Sequence, residues 1–167
     1  MRDNRSIRVA RLDDAAAIQQ VHQSSILGID RSFYSADELA SWATGLTPDY
    51  YVRCIVDDGE TFLVSEDATG KVVGWAAYKD DELTGLYVIP QVAGQGLGRA
   101  LLREAEARMQ AAGTAVASIK ASLSGQGFYA AHGYNEVGRH GSTTRGGVVI
   151  EIVDMTKPLR LRAEERG

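Results

Sequence analysis

Hydrophobic and polar positions follow two different spacings along the chain, and each spacing predicts its own kind of element. Helical spacing, with an apolar residue every three or four positions, covers residues 15–28, 36–44 and 97–112 and a short stretch at 127–132. Strand-like patterns cover residues 7–12, 61–66, 71–78, 82–88, 115–120, 134–137 and 148–155. Short turn signals separate the three central strands, which predicts an antiparallel meander. The whole order predicts one α/β domain with helices on both faces of a mixed sheet.

Helix boundaries have their own signals. Asp13 or Asp14 stands where it could cap the first helix. Ser35 and Glu38 have the spacing of a capping box, in which each side chain bonds the backbone amide of the other residue. Residues 48–57 stay unassigned, because strand propensity and a helical period compete there.

Composition agrees with a single globular domain. The chain has 167 residues, of which 44% are hydrophobic and 24% charged, so residues 1–159 have enough apolar side chains for one core. Residues 160–167 form a polar tail that we expect to be frayed. The formal charge is −4 and the basic residues are scattered, so nucleic acid is not an expected partner.

The cysteine content and the lengths of the apolar runs indicate where in the cell the protein is expected. Cys54 is the only cysteine, which excludes an intrachain disulfide. No apolar run approaches the length of about 18 residues that spans a bilayer, and no apolar export region follows the first residues. We therefore expect a cytoplasmic protein without a membrane partner.

A glycine-rich turn stands out between the strand at 82–88 and the helix at 97–112. Gly94, Gly96 and Gly98 alternate there. Such a turn offers bare backbone amides and the positive end of a helix dipole, which together bind anions such as phosphate. Glycine allows close approach of the phosphate oxygens and any positive φ that the turn requires.

Glycine spacing separates the common phosphate binders. A dinucleotide site needs G-x-G-x-x-G, but the sixth position from Gly94 is Arg99 and from Gly96 is Leu101. A P-loop needs Gly-Lys followed by Ser or Thr, which is absent from the chain. A nucleotide-binding protein of another kind and a turn without any ligand remain as alternatives on the turn alone.

Two motifs resemble the GNAT superfamily of N-acyltransferases. The first, residues 86–102, looks like the acyl-CoA-binding motif of that superfamily, and the second, residues 121–134, follows at the usual distance. The resemblance extends over about residues 7–159, and the region around Tyr34 and Trp42 is similar to a small bacterial branch with undefined acceptors. It implies a mostly antiparallel sheet of about six or seven strands, with helices on both faces.

The resemblance also implies which residues hold acetyl-CoA as cosubstrate. The pantetheine arm would pair with the strand backbone, and the pyrophosphate would lie on the amides of the turn. The residues concerned are Leu86, Tyr87, Val88, Ala93, Gly94, Gln95, Gly96, Leu97, Gly98 and Arg99, with Ser122 and Phe128 from the second motif. Ala93 departs from the family, which often has Arg or Gln there, so pyrophosphate binding would rest on backbone amides, with Gln91 or Arg99 as candidate replacements.

Catalytic roles follow from the same resemblance. Tyr129 matches the tyrosine that protonates the departing thiolate, a role suited to a hydroxyl whose pKa is about 10. Glu82 begins the strand on which many relatives carry a carboxylate base, although a carboxylate at a strand end is more often a solvated surface group. The amide of Val88 is a candidate donor to the thioester carbonyl.

Several side chains have ordinary structural explanations. Cys54, considered as a nucleophile with a histidine partner, is more typical of a buried apolar residue. The three histidines lack metal-ligand spacing, so no metal is expected. Tyr34 and Trp42 are candidates for an acceptor pocket, but aromatic residues at helix boundaries more often belong to the core.

The leading hypothesis is therefore an acetyl-CoA-dependent N-acetyltransferase that acts by direct transfer on a primary amine of a small molecule, protein or peptide. A non-catalytic acyl-CoA-binding sensor or regulatory module uses the same turn and stays open as the alternative. The resemblance is also compatible with a homodimer.

Overall fold

The computed structural model describes residues 6–159. Seven strands form one sheet: β1 Ser6–Val9, β2 Thr61–Glu66, β3 Val72–Lys79, β4 Glu82–Val88, β5 Val116–Ser122, β6 Asn135–Thr143 and β7 Val149–Pro158. Five helices accompany them: α1 Ala15–Leu27, α2 Ala36–Ala43, α3 Pro48–Val56, α4 Leu97–Ala111 and α5 Gln126–Ala131. Short 3-10 turns lie at Leu12–Asp14 and Pro90–Val92. The predicted polar tail lies outside the described residues.

The strand order is β1-β2-β3-β4-β5-β7-β6. Every neighbouring pair is antiparallel except β4 and β5, which run parallel. The predicted meander and the mixed, mostly antiparallel sheet are both confirmed. The parallel pair arises because α4 carries the chain from the end of β4 back to the start of β5, as a parallel connection requires.

Two apolar cores cover the two faces of the sheet. On one face, Ile18 of α1 and Tyr51 of α3 pack with Trp75 of β3. On the other, Leu101 of α4 and Tyr129 of α5 pack with strand residues that include Val153. The alternation of side chains along each strand places successive residues in opposite cores, so the sheet separates two buried layers.

Some predicted boundaries change. The ambiguous residues 48–57 form α3, which begins with Pro48 after the cap Thr47, whose side chain accepts from the amide of Tyr50. The predicted capping box at Ser35 is present, with Glu38 N–H to Ser35 Oγ at 3.1 Å. Asp14 takes the N-cap position of α1 without capping its amides. Its carboxylate accepts instead from Arg8 Nη1 at 2.8 Å and from the Arg11 amide at 2.7 Å.

Candidate functional site

A cleft opens in the sheet where the parallel strands β4 and β5 part. Their pairing is limited to Glu82 with Ser118 and Leu83 with Ile119. At this point β4 bulges, because Leu83 and Gly85 pair with successive residues of β3 and Thr84 has no partner there. The gap beyond is a cavity of about 400 Å³. We refer to it as the cleft.

The ladder between β3 and β4 determines which backbone groups face the cleft. Ile89 N–H donates to Val73 O at 3.0 Å, so by antiparallel alternation Tyr87 turns its backbone groups toward β3. Leu86 and Val88 turn theirs toward the cleft. The Val88 carbonyl accepts from Ser25 Oγ of α1 at 2.7 Å, which leaves the Val88 amide and the backbone of Leu86 as the cleft-facing groups.

The glycine turn lies at the end of β4. Gly94 and Gly96 adopt φ of +78° and +84°, so these positions do require the conformation that glycine tolerates best. Gly96 is the N-cap of α4 and provides no side-chain cap. The first helical bond runs from Ala100 N–H to Gly96 O, so the amides of residues 97–99 have no partner within the helix.

The turn is exposed apart from one anchor. Leu97 is buried and fixes the first turn of α4 against the core, whereas Ala93 and Gly94 face solvent. Arg99 is exposed and lines a surface groove together with Arg103 and His132. The geometry is therefore that of an anion site built from backbone amides, with cationic side chains close by.

Tyr129 borders the cleft from α5. Its side chain is 5% exposed, lies on the α4 and α5 side of the sheet and makes no hydrogen bond to the described residues. Burial raises the pKa of its hydroxyl above the ordinary value, so the group is protonated at neutral pH and has its proton available. Phe128 lines the same cleft, and its ring centre lies 5.2 Å from that of Tyr129.

Two other predicted residues have different surroundings. Ser122 lines the cleft, but its hydroxyl accepts from the Gly125 amide at 3.0 Å and lies 2.9 Å from Ser124 Oγ. Glu82 lies before the strands part and lines neither the cleft nor the chamber described next. It borders an acidic surface groove that also reaches Thr84.

A second, smaller cavity lies on the α1–α3 side of the sheet. We call it the aromatic chamber; its volume is about 170 Å³. Its walls are His22, Trp42, Tyr50, Tyr51, Cys54, Glu60, Phe62, Trp75, Thr84, Tyr87 and Arg145. Trp42, Thr84, Tyr87 and Arg145 also line the cleft, so the two cavities adjoin at the parted strands. Tyr34, the other early aromatic residue, has a structural role: its hydroxyl donates to Glu151 O and accepts from the Leu123 amide.

Arg145 and Glu60 are the charged residues that sequence reasoning missed. Arg145 lies in the turn between β6 and β7, and Glu60 follows α3. Neither belongs to a motif, because each reaches the chamber only through the folding of distant segments. The Pro48–Val56 helix, which forms one wall, was itself unassigned from the sequence.

His22 is buried in the chamber wall. It is 6% exposed, and burial lowers the pKa of its imidazole to about 3, with the charge of Arg145 acting in the same direction. Its Nδ1 lies 2.8 Å from Tyr51 Oη, whereas Nε2 has no partner among the described residues. The imidazole is therefore neutral at physiological pH.

Cys54 also borders the chamber. Burial raises the pKa of its thiol to about 12, so the thiolate that a nucleophile requires is scarce at neutral pH. Its ligand atom lies within 4.8 Å of those of Asp58 and Glu60, a grouping that sequence spacing did not predict. The expectation that no metal is required stays a prediction.

The parted strands, the amide-rich turn and the buried tyrosine agree with the result of a comparison with known protein families. Residues 31–159 match the family model "Acetyltransferase (GNAT) domain". The chain belongs to this family, and its class is that of the acyl-CoA-dependent N-acyltransferases. No curated protein matches the chain significantly. No helix among the described residues is long and apolar enough to cross a membrane.

Solved structures share the fold over nearly the whole chain. A GCN5-related N-acetyltransferase from Rhodopseudomonas palustris is 26% identical with a TM-score of 0.85, and the match covers 92% of this chain and 95% of that one. The PaiA N-acetyltransferase from Thermoplasma acidophilum, in complex with coenzyme A, is 22% identical with a TM-score of 0.73 over 93% and 99% of the two chains. A phosphinothricin acetyltransferase from Sinorhizobium meliloti, in complex with acetyl-CoA, is 22% identical with a TM-score of 0.71 over 93% and 88%.

Proposed function

We propose that the protein transfers an acetyl group from acetyl-CoA to a primary amine by direct attack of the amine on the thioester. The parting of β4 and β5 carries the proposal, because it leaves cleft-facing backbone between an anion-binding turn and a protonated tyrosine. The PaiA structure holds coenzyme A and the phosphinothricin acetyltransferase structure holds acetyl-CoA, which supports the same cosubstrate here.

The residues around the cleft suit the parts of acetyl-CoA. The pyrophosphate would lie on the amides of residues 93–99, where Gly96 provides no side-chain cap and the amides of residues 97–99 have no partner within α4. The nearby cations Arg99 and Arg103 would meet the remaining phosphate charge. The pantetheine arm would pair with the backbone of Leu86 and Val88, and Phe128 would cover it. Ala93 lacks a polar side chain, which is compatible with phosphate binding by backbone groups alone.

The chemistry requires the amine nitrogen to attack the thioester carbonyl carbon and the C–S bond to break. The Val88 amide would stabilise the negative charge on the carbonyl oxygen. Tyr129 would give its proton to the departing sulfur and recover one from the acylated nitrogen, so that N-acetylamine and free CoA leave. An ammonium acceptor loses a further proton before it attacks. Glu82 lies outside both cavities and would act on the acceptor only through water.

The acceptor would enter from the α1–α3 side through the aromatic chamber, which adjoins the cleft at Thr84 and Tyr87. A cytoplasmic location and a homodimer remain parts of the proposal that the sequence motivates.

The decisive experiment is release of free thiol from acetyl-CoA in the presence of a broad panel of amines, with mass spectrometry of the acylated product. We expect acceptor-dependent release and a product that is 42 Da heavier, the mass of an added acetyl group less one hydrogen. The alternative, a CoA-responsive sensor, predicts saturable binding of acetyl-CoA without turnover of any amine. Stabilisation by ATP but not by CoA in a thermal-shift titration would contradict both functions.

A further inference from the structure

We infer that the acceptor is a small amino acid whose carboxylate pairs with Arg145 and whose amino group lies toward Glu60 and Thr84. The inference rests on the proposed function and deepens it, because it assigns the substrate class of the aromatic chamber. Two oppositely charged side chains that line one small cavity with mainly aromatic walls carry the inference.

Arg145 is exposed to solvent, and three contacts orient its side chain. Its Nε donates to Thr44 O at 2.9 Å, its Nη2 donates to Trp42 O, and its guanidinium lies 5.6 Å from the centre of the Tyr50 ring. The hairpin that carries it is fastened to α2, where Gly146 N–H donates to Ser41 O at 3.2 Å. These contacts place the side chain without neutralising its charge.

Arg145 has no carboxylate counterion among the described residues. No such carboxylate lies within 4 Å of it, whereas Arg139 of the same hairpin forms ion pairs with Glu136 and Glu151. The two carbonyls accept from only two of the five N–H donors of Arg145. The remaining N–H groups belong to a guanidinium that lines both the cleft and the chamber. The positive charge of Arg145 also acts on the residues of the chamber. Burial raises the pKa of the Tyr51 hydroxyl, and the charge of Arg145 opposes that rise. Guanidinium groups bind carboxylates with two parallel hydrogen bonds.

Glu60 provides the opposite pole. It is half-buried, lines the chamber and the acidic groove, and is not ion-paired with any described basic residue. Its carboxylate is suited to receive an ammonium group and to take the proton that this group loses before attack. Thr84 borders the chamber, the groove and the cleft, so an amino group near Glu60 would lie beside the route to the thioester.

The size and the wall residues of the chamber limit which acceptors could bind there. A volume of about 170 Å³ is below the range of roughly 300–1,000 Å³ typical of sites for drug-sized ligands. Trp42, Tyr50 and Tyr87 present rings that favour an apolar side chain. A simple amine would leave Arg145 unmatched, and a polyamine would be repelled by it, whereas a compact amino acid with an apolar side chain would offer a group of opposite charge to each pole.

The test compares acceptors that differ only at the carboxylate. Each of several apolar L-amino acids, such as leucine, is assayed beside its carboxamide and beside the amine that lacks the carboxyl group. We expect the wild-type protein to prefer the free amino acid by about 10- to 100-fold in kcat/KM, as expected for a hydrogen-bonded charge pair. Arg145→Gln should bring this ratio close to one.

Arg139→Gln is the matched control, because it removes the same charge from the same hairpin at a residue that lines neither cavity. The Arg139→Gln variant should prefer the free amino acid over its carboxamide to the same extent as the wild type. Equal turnover of amino acid and carboxamide by the wild type, or an equal loss of preference in both variants, would overturn the assignment. The wild-type comparison decides the matter if Arg145→Gln does not fold. Failure to acetylate any amine would instead contradict the proposed function itself.

Discussion

Tyr129 is the residue to which the proposed function gives the role of general acid. Its ring belongs to the core on the α4 and α5 side, whereas its hydroxyl has no partner within residues 6–159 and its side chain borders the cleft. Removing that hydroxyl leaves the packing of the ring in place. Tyr129→Phe should therefore lower kcat by about 100-fold or more, the contribution typical of a general acid, and leave CoA affinity unchanged. Steady-state thiol release and calorimetric CoA binding measure the two effects.

Tyr134→Phe is the control for this prediction. Its hydroxyl donates to Glu106 Oε2 at 2.8 Å, away from the cleft. Loss of this bond should cost about 1 kcal/mol of unfolding free energy without reducing kcat. Unchanged turnover in Tyr129→Phe would remove Tyr129 as the acid.

His22 gives the protein a predictable acid sensitivity. Its folded-state pKa of about 3 lies below the ordinary value of 6.5 because burial disfavours the charged imidazole. Below pH 6.5 the unfolded chain therefore binds a proton that the folded protein does not, so stability falls as the pH falls. This residue alone should remove about 2 kcal/mol of unfolding free energy between pH 7 and pH 5.

Urea unfolding at several pH values measures this contribution. His22→Gln removes the titrating group and should flatten the dependence between pH 7 and pH 5. If the slope is the same in the variant and the wild type, His22 is not the group that titrates.

Among the elements, those with strong local signals were predicted well. The capping box at Ser35 and the meander of β2, β3 and β4 match the sequence pattern, because neighbouring residues determine both. The sequence pattern does not assign helix α3, although Thr47 and Pro48 carry start signals. Its aromatic and β-branched residues favour a strand locally, but packing against α1 stabilises the helical conformation.

The residues of the candidate site also differ in how far local sequence indicates them. The turn and Tyr129 lie within contiguous motifs, so a single stretch of sequence indicates them. The chamber combines Arg145 from the β6–β7 turn, Glu60 from the segment between α3 and β2, and Thr84 from a bulge in β4. Such a set is brought together only by the tertiary fold, which is why the proposed acceptor site could not be predicted from the sequence.

The N-terminus of α4 allows a controlled test of anion binding. Gly96 and Gly113 flank the two ends of this helix at φ of +84° and +99°, and a Cβ at either position would meet no atom within 4 Å. Alanine at either site should therefore cost a similar strain of about 1–2 kcal/mol. Gly96→Ala should in addition weaken CoA binding about tenfold, because the new methyl group intrudes where the phosphates approach.

Calorimetric titration of both variants separates strain from binding. Gly113→Ala should lose stability and keep the CoA affinity of the wild type. If Gly96→Ala binds CoA as tightly as Gly113→Ala, the turn does not hold the pyrophosphate.

At the scale of the whole molecule, the parted strands connect the two faces of the sheet. The cleft is lined by Tyr129 and Phe128 from the core on one face and by Ile150 and Ile152 from the core on the other. A thioester held from the α4 side and an amine entering from the α1–α3 side would therefore meet inside the sheet. Neither substrate would have to leave before the other binds.

This arrangement predicts a sequential mechanism. Initial rates measured against both substrates should give intersecting double-reciprocal lines, and free CoA should compete with acetyl-CoA. The only cysteine in position to form an acyl-enzyme at the chamber is Cys54, whose thiol pKa is raised to about 12 by burial, so Cys54→Ala should retain turnover. Parallel lines together with an acetylated Cys54 would instead demonstrate a covalent intermediate, because a ping-pong enzyme releases CoA before the amine reacts.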